Sequence, residues 1–427
     1  MTANPFTFGN PIKDPARFIG RQAEIRQISG RLLSSAREST SIVGERRMGK
    51  TSLLYYLAHP EVAAGLGLSP EHYCMVYIDF QGLTDITPLR FWQRVLSKAA
   101  RAGCDAELAA RFKEAAERNG LDLFDLEDLF GQVADHGLNL VMLLDEFEYV
   151  TQNPNFGSDF FGGLRALAIH HNLSLIPATR RELVDLCHSD EIKGSPFFNI
   201  FANVVLRPFA RGDALKLVDG NLAESGIEIP SEERDYVQKL GGGHPFFLQM
   251  AGYYLVEGKA QGLAGESLAG FVQARFSEQA DPHFSYCWSH SSESEKITLL
   301  TVLALSQAKP SKHNIPNLEN LARLHSRAKL DTVSLLKRGL LEETAGAFAL
   351  FSPSFGQWIS REVTAGPGEE EPRADVEAWL AEGGRERLQT VKGALPRFKK
   401  RYWPLMGEVL KELSFELIAG VALRQFL

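Results

Sequence analysis

Gly44-Glu45-Arg46-Arg47-Met48-Gly49-Lys50-Thr51 is an intact G-x4-G-K-[ST] run, and its flanks decide how it reads. Thr40-Ser41-Ile42-Val43 before it has strand character, and Ser52-Leu53-Leu54-Tyr55-Tyr56-Leu57 after it opens a helix. Between strand and helix, such glycines let backbone N–H groups converge on phosphate oxygens, and the helix N-terminus adds positive potential. Residues Gly44 to Ser52 are therefore the expected cradle for a nucleoside triphosphate. Lys50 is expected to reach the β- and γ-phosphates, and the Thr51 hydroxyl to ligate Mg²⁺.

A phosphate cradle needs a second half to do chemistry. Leu140-Val141-Met142-Leu143-Leu144-Asp145-Glu146 is an apolar strand without alternation, ending in two acids, as a central strand covered on both faces does. Asp145 is expected to hold Mg²⁺ through its hydration shell, and Glu146 to polarise the attacking water as general base. Asp79, ending another strand, either faces the Mg²⁺ shell or caps a turn. Thr179-Arg180-Arg181 ends a further strand, and Arg180 is the better placed to sense the γ-phosphate through bidentate contacts. Gly241-Gly242-Gly243-His244-Pro245-Phe246-Phe247 reads as a flexible loop entering a helix with proline in its first turn. Its functional reading sets His244 and Pro245 against the nucleotide base.

Working outward, β-rich runs alternate with amphipathic stretches from Phe18 to about Phe209, the pattern of parallel strands with crossover helices. The expected strands are Ser41–Gly44, Cys74–Phe80, Asn139–Asp145, Leu173–Thr179 and Asn203–Leu206. Helical patterns then take over at Gly212–Ser225, Ser231–Leu240 and Pro245–Val256, and the stretch Asp281–Ser292 reads as an interdomain link. Helices near Glu293–Leu305, Leu318–Leu324 and Leu330–Arg338 precede a hairpin over Leu341–Phe351, which is a winged-helix order. The third helix is expected to pack through Val333, Leu336 and Leu340. The expected domains are an extended segment (1–17), an α/β nucleotide core (18–210), a helical lid (211–285), a winged helix (286–363), and a linker with a helical tail (364–427).

Composition narrows the class without naming an activity. The 427 residues, 44% hydrophobic and 23% charged, suit a soluble chain of two or three domains. A net charge of −7 argues against nonspecific coating of nucleic acid, although one basic face remains compatible with it. Four cysteines without a CxxC pair point away from zinc and disulfides and towards a reducing cytoplasm. The first residues lack a signal-peptide pattern, and no apolar run is long enough to span a membrane.

With these motifs together, the sequence resembles the STAND class of P-loop ATPases, in an AAA-like bacterial and archaeal branch. The resemblance covers about residues 16–360 and rests on five matches. Phe18-Ile19-Gly20-Arg21-Gln22-Ala23-Glu24 looks like the class's F-x-G-R-x-x-E adenine-side motif, which puts Phe18, Ile19 and Arg21 among the nucleotide contacts. The others are the P-loop continuing through Ser52-Leu53-Leu54, Leu144-Asp145-Glu146-Phe147-Glu148, Thr179-Arg180 as a sensor arginine, and Gly243-His244-Pro245-Phe246 as a G-x-P lid motif. The resemblance implies a sheet ordered 5-1-4-3-2, a helical lid and a winged helix. It also implies a slow ATPase switch in which ADP holds a closed state and ATP an open, assembling one.

Two elements are contested. Across the winged-helix stretch, Lys and Arg outnumber Asp and Glu by only two, thin for phosphate neutralisation, although Arg327, Lys329, Lys337 and Arg338 bracket its third helix. Nucleic acid is thus the less favoured partner, with a DNA-binding AAA+ initiator as the rival reading. The tail sets Arg397-Phe398-Lys399-Lys400-Arg401-Tyr402-Trp403 before an amphipathic stretch carrying Glu408, Glu412 and Glu416. Self-association or a protein partner suits it better than a membrane.

Overall fold

The computed structural model describes residues 4–364, apart from 104, 190–193, 195, 224–226, 308–314 and 325–326. The linker and tail expectations beyond residue 364 lie outside the described residues. The described residues form two compact units, 9–206 and a second made of residues 4–8 with 207–364.

The first unit is built on β1 (Thr40–Val43), β2 (Tyr73–Asp79), β3 (Asn139–Asp145), β4 (Leu173–Thr179) and β5 (Ala202–Val205). All neighbours pair in parallel, in the order β2-β3-β4-β1-β5, the expected 5-1-4-3-2 sheet. Its helices are α1 (Gln22–Leu32), α2 (Lys50–Ala58), α3 (Pro60–Gly65), α4 (Pro88–Ala99), α5 (Ala106–Glu117), α6 (Leu123–Asp135), α7 (Glu148–Thr151) and α8 (Ser158–His170). The central strand shows why its sequence is apolar throughout. Leu140, Met142 and Leu144 point into one core with residues of α4, α5, α6 and α8. Val141 and Leu143 point into the other, with Leu53, Leu54 and Leu57 of α2 and Ile25, Ile28 and Leu32 of α1. Both faces are covered, so alternation is absent.

The second unit carries α9 (Arg211–Ala223), α10 (Ser231–Gly241), α11 (Pro245–Ala260) and α12 (Gly265–Ser289). They are followed by α13 (Glu293–Gln307), α14 (Leu318–Leu324), α15 (Ala328–Arg338), the antiparallel hairpin β6 (Leu341–Thr344)–β7 (Ala347–Leu350) and α16 (Pro353–Thr364). The stretch Asp281–Ser292, read from sequence as a link, is mostly the last two turns of α12, with Pro282 inside the helix. Proline removes one helix bond, but packing offsets the loss. Buried Asp281 accepts from Trp358 Nε1 and Arg361 Nη2, each at 2.9 Å, which pins α12 to α16.

The triple glycine is a packing device as well as a loop. Gly242 has φ +57°, and a Cβ there would stand 1.9 Å from the Phe351 carbonyl oxygen. Only glycine permits that approach of backbone to backbone. Beside it, the Glu342 carboxylate accepts from the Gly243 N–H at 3.4 Å, and Ser352 Oγ donates to the Leu240 carbonyl. The hairpin and the α10–α11 turn are thus fastened to each other.

Of the three positions expected to pack, Leu340 is buried and Leu336 half-buried, but Val333 is 51% exposed. Ala328, Asp331, Thr332 and Leu335 form the buried face of the third helix, α15. Asp331 reverses the pattern by accepting hydrogen bonds from Ser294 and Thr298 of α13. The cysteine expectation also needs correction. Cys74, buried on β2, is disulfide-bonded, so the spacing carries no argument about compartment. No helix among the described residues is long and apolar enough to cross a membrane.

Candidate functional site

The first unit gathers the chemical groups at the C-terminal ends of β1, β3 and β4, where open α/β sheets place ligand sites. The loop from Gly44 to Gly49 links β1 to α2, and Gly49, at φ +94°, caps α2 in a left-handed conformation suited to glycine. Lys50 is buried, and its Nζ donates to the carbonyls of Gly44 (2.8 Å) and Glu45 (3.2 Å), lying across the loop. Its cationic end therefore sits where the loop's backbone curves.

The Thr51 side chain, at the start of the P-loop helix, lies near enough to the Asp145 carboxylate at the end of β3 to lower its pKa. Tyr77 of β2 donates to Asp145 Oδ2 at 2.9 Å. Burial raises the Asp145 pKa against the pulls of Thr51, Tyr77 and the Lys50 charge. Glu146 follows in a left-handed conformation, φ +52°, its N–H donating to Asp145 Oδ1 at 3.1 Å. Non-glycine residues held there store strain of about 1–3 kcal/mol, and such residues cluster at functional sites. Burial, then the neighbouring Glu148 charge, raises the Glu146 pKa, against opposing pulls from Lys50 and Arg180.

Arg180, at the end of β4, has its Nε 2.7 Å from Oε1 of Glu148, a nearly fully buried carboxylate in α7. Asp79 resolves towards its turn-capping alternative: Oδ1 accepts from the Gln81 N–H at 2.8 Å. Its charge also raises the Asp145 pKa, and it pairs in register with Asp145 across β2 and β3.

The segment before α1 is anchored to the same loop. Buried Arg21 donates to the Met48 carbonyl at 3.1 Å and pairs with Glu24 at 3.2 Å. Phe18 stacks on Tyr56 of α2 with centroids 4.5 Å apart, and half-buried Ile19 follows it. Ser52 accepts from the Ile12 N–H at 3.0 Å, and Arg47 Nη1 donates to the Gly9 carbonyl at 3.0 Å. Arg46 and Arg47 are exposed, while Met48 is buried. His244 and Pro245 belong to the second unit. There Pro245 opens α11, and the His244 ring lies 4.7 Å from Phe247 and 6.1 Å from Phe351.

Lys50, Thr51, Asp145, Glu146 and Arg180 therefore converge from separate stretches of sequence. Two residues with no motif of their own join them. Tyr77 occupies an ordinary strand position, and Glu148 lies inside Asp-Glu-Phe-Glu, where its spacing from Glu146 was the available signal.

The donor set fits a magnesium nucleotide. A hydroxyl beside a carboxylate is an all-oxygen set that Mg²⁺ accepts while keeping waters and phosphate oxygens. The strand–loop–helix cradle with its buried lysine is the corresponding triphosphate seat.

This is the architecture of a P-loop NTPase. The profile of the family described as Novel STAND NTPase 2 matches residues 31–308. The chain belongs to that family. No curated protein matches the sequence. Among solved structures, the Walker-type ATPase paby2304 of Pyrococcus abyssi is similar at TM-score 0.54 and 15% sequence identity, over 82% of this chain and 98% of that one. The Aeropyrum pernix ORC2 protein, in ADPNP–ADP complexes, is similar at TM-score 0.54 and 14% identity, over 89% and 99%. At these identities the likeness is one of fold.

Proposed function

We propose that the chain is a Mg²⁺-dependent, ATP-binding switch that hydrolyses slowly and couples nucleotide state to self-association or to a protein partner in signalling. The observation that carries the nucleotide chemistry is the convergence of Lys50, Thr51, Asp145 and Glu146 at the strand ends. When bound, MgATP supplies an electrophilic γ-phosphorus whose developing charge the site must stabilise.

Thr51 and Asp145 would hold the metal, Asp145 through its hydration shell, and Tyr77 fixes one Asp145 oxygen. Lys50 leaves the loop carbonyls for the β- and γ-phosphate oxygens. Glu146 orients a water and accepts its proton, a task that its raised pKa suits. Phe18, Ile19 and Arg21 flank the adenine side.

The Arg180–Glu148 pair supports a switch rather than a fast motor. In this reading the buried Glu148 carboxylate holds Arg180 through Nε, and its contact with the γ-phosphate, which ADP lacks, separates ATP from ADP. Arg180→Ala is expected to weaken an ATP analogue about tenfold, while ADP affinity changes less than twofold. Isothermal titration with both nucleotides measures this, and equal losses for the two would remove Arg180 from the sensor role.

A further inference from the structure

A cavity of about 1390 Å³ lies between α4 and α5, lined by neither P-loop residues nor the strand-end acids. Arg90, Arg94, Lys98 and Arg101 come from α4 and the turn after it, and Lys113 from α5. Spacings of four put Arg90, Arg94 and Lys98 on one face of α4, in a row about 12 Å long with a cation roughly every 6 Å, and Arg101 follows in the turn after it. All five are exposed.

Among the described residues none of the five forms an ion pair. Arg90 donates to the Gln93 amide oxygen at 3.1 Å, and Arg94 to the Asp79 carbonyl at 2.9 Å. By contrast, Arg111 of α5 and Arg118 just after it are paired, with Glu107, Glu114 and Asp125. Asp85 and Glu117 share the lining, which leaves a surplus of three positive charges in a chain whose net charge is −7.

We propose that this trough binds a single nucleic-acid strand through its phosphates. An evenly pitched row suits an evenly pitched polyanion, and guanidinium forks grip phosphate in bidentate fashion. A single row of cations matches the one backbone of a single strand, whereas a duplex presents two backbones across its grooves. No aromatic side chain lines the cavity, so bases find no stacking platform, and binding is by backbone without sequence preference. The groove is also tied to the nucleotide unit's sheet, because Arg94 bonds the last residue of β2, which pairs with Asp145.

Fluorescence anisotropy of the full chain with a labelled oligothymidine of about 20 nucleotides tests this. We expect a dissociation constant of about 1–100 µM near physiological salt, and a log–log salt slope of about −3, as four or five phosphate contacts give. The triple variant Arg90→Gln, Lys98→Gln, Arg101→Gln should lose at least about tenfold in affinity and flatten the slope towards about −1. Lys329→Ala with Lys337→Ala, on α15, should leave binding unchanged. Three results would overturn the proposal. The first is absence of binding at low salt, and the second is a triple variant that binds like the parent. The third is displacement of the strand, at matched charge, as effectively by polyglutamate or duplex DNA as by unlabelled strand. Thermal melting of the triple variant separates lost binding from lost fold, and single Lys98→Gln and Arg101→Gln variants carry the test if the triple variant melts early.

Discussion

Lys50→Ala is expected to weaken ATP and ADP alike by a hundredfold or more, the largest binding effect of any single change in this chain. The ammonium group is buried and already bonded to two loop carbonyls, so it is held within reach of the phosphate cradle. Its loss removes charge-assisted hydrogen bonds worth about 1.5–3 kcal/mol each to the β- and γ-oxygens, and about 1.4 kcal/mol is a factor of ten. Thermal melting of the variant separates lost binding from lost fold, because the substitution leaves the buried Gly44 carbonyl without its lysine donor. Titration with a fluorescent ADP analogue measures the loss. A variant with parental affinity would mean that the triphosphate is seated elsewhere.

Glu146→Gln should separate binding from turnover. The substitution keeps the shape and one acceptor oxygen but cannot take a proton, and positioned general bases contribute about 10²–10⁴-fold. Single-turnover hydrolysis should therefore fall by about 10²-fold or more while ATP affinity stays within about threefold of the parent. The pH dependence has a definite sign. The base acts ionised, and burial raises its pKa above the ordinary 4.5, so parental hydrolysis declines as pH falls through that raised value. The residual rate of the glutamine variant should lack this limb. Parental turnover in Glu146→Gln would remove Glu146 from the base role.

Much of the first unit was legible because its signals are local and redundant. The β1–loop–α2 run, the unbroken apolar β3 and the two acids after it each specify geometry over a few residues. The order of the sheet followed from family resemblance rather than from the strands themselves, since parallel strands carry no mark of their neighbours.

What the sequence hid depends on long-range partners. Val333 looked like a core residue until Asp331, bonded to Ser294 and Thr298, took the buried face of α15 instead. The Asp281–Ser292 stretch read as a link, yet Asp281 within it is held by Trp358 and Arg361 some eighty residues away. Tyr77 and Glu148 acquire roles only through the groups they touch, Asp145 and Arg180. The triple glycine read as flexibility, whereas Gly242 is demanded by the Phe351 carbonyl pressed against it.

The resting partners in the site also bear on why hydrolysis should be slow. Lys50, Arg180 and Asp145 each already have a protein partner, respectively loop carbonyls, Glu148 and Tyr77. Binding must exchange some of these contacts for phosphate and metal, and a ligand shifts a conformational equilibrium only by its differential affinity for the two states. ATP and ADP differ by one phosphate, and in the proposed switch Arg180 carries that difference.

Size-exclusion chromatography with light scattering, on the full chain at one protein concentration with Mg²⁺, probes that difference most directly. Saturating ADP and a saturating nonhydrolysable ATP analogue should give distinct profiles, with the larger assembly in the ATP analogue. Superimposable profiles and masses with the two nucleotides, both shown to be bound, would contradict a nucleotide-controlled switch.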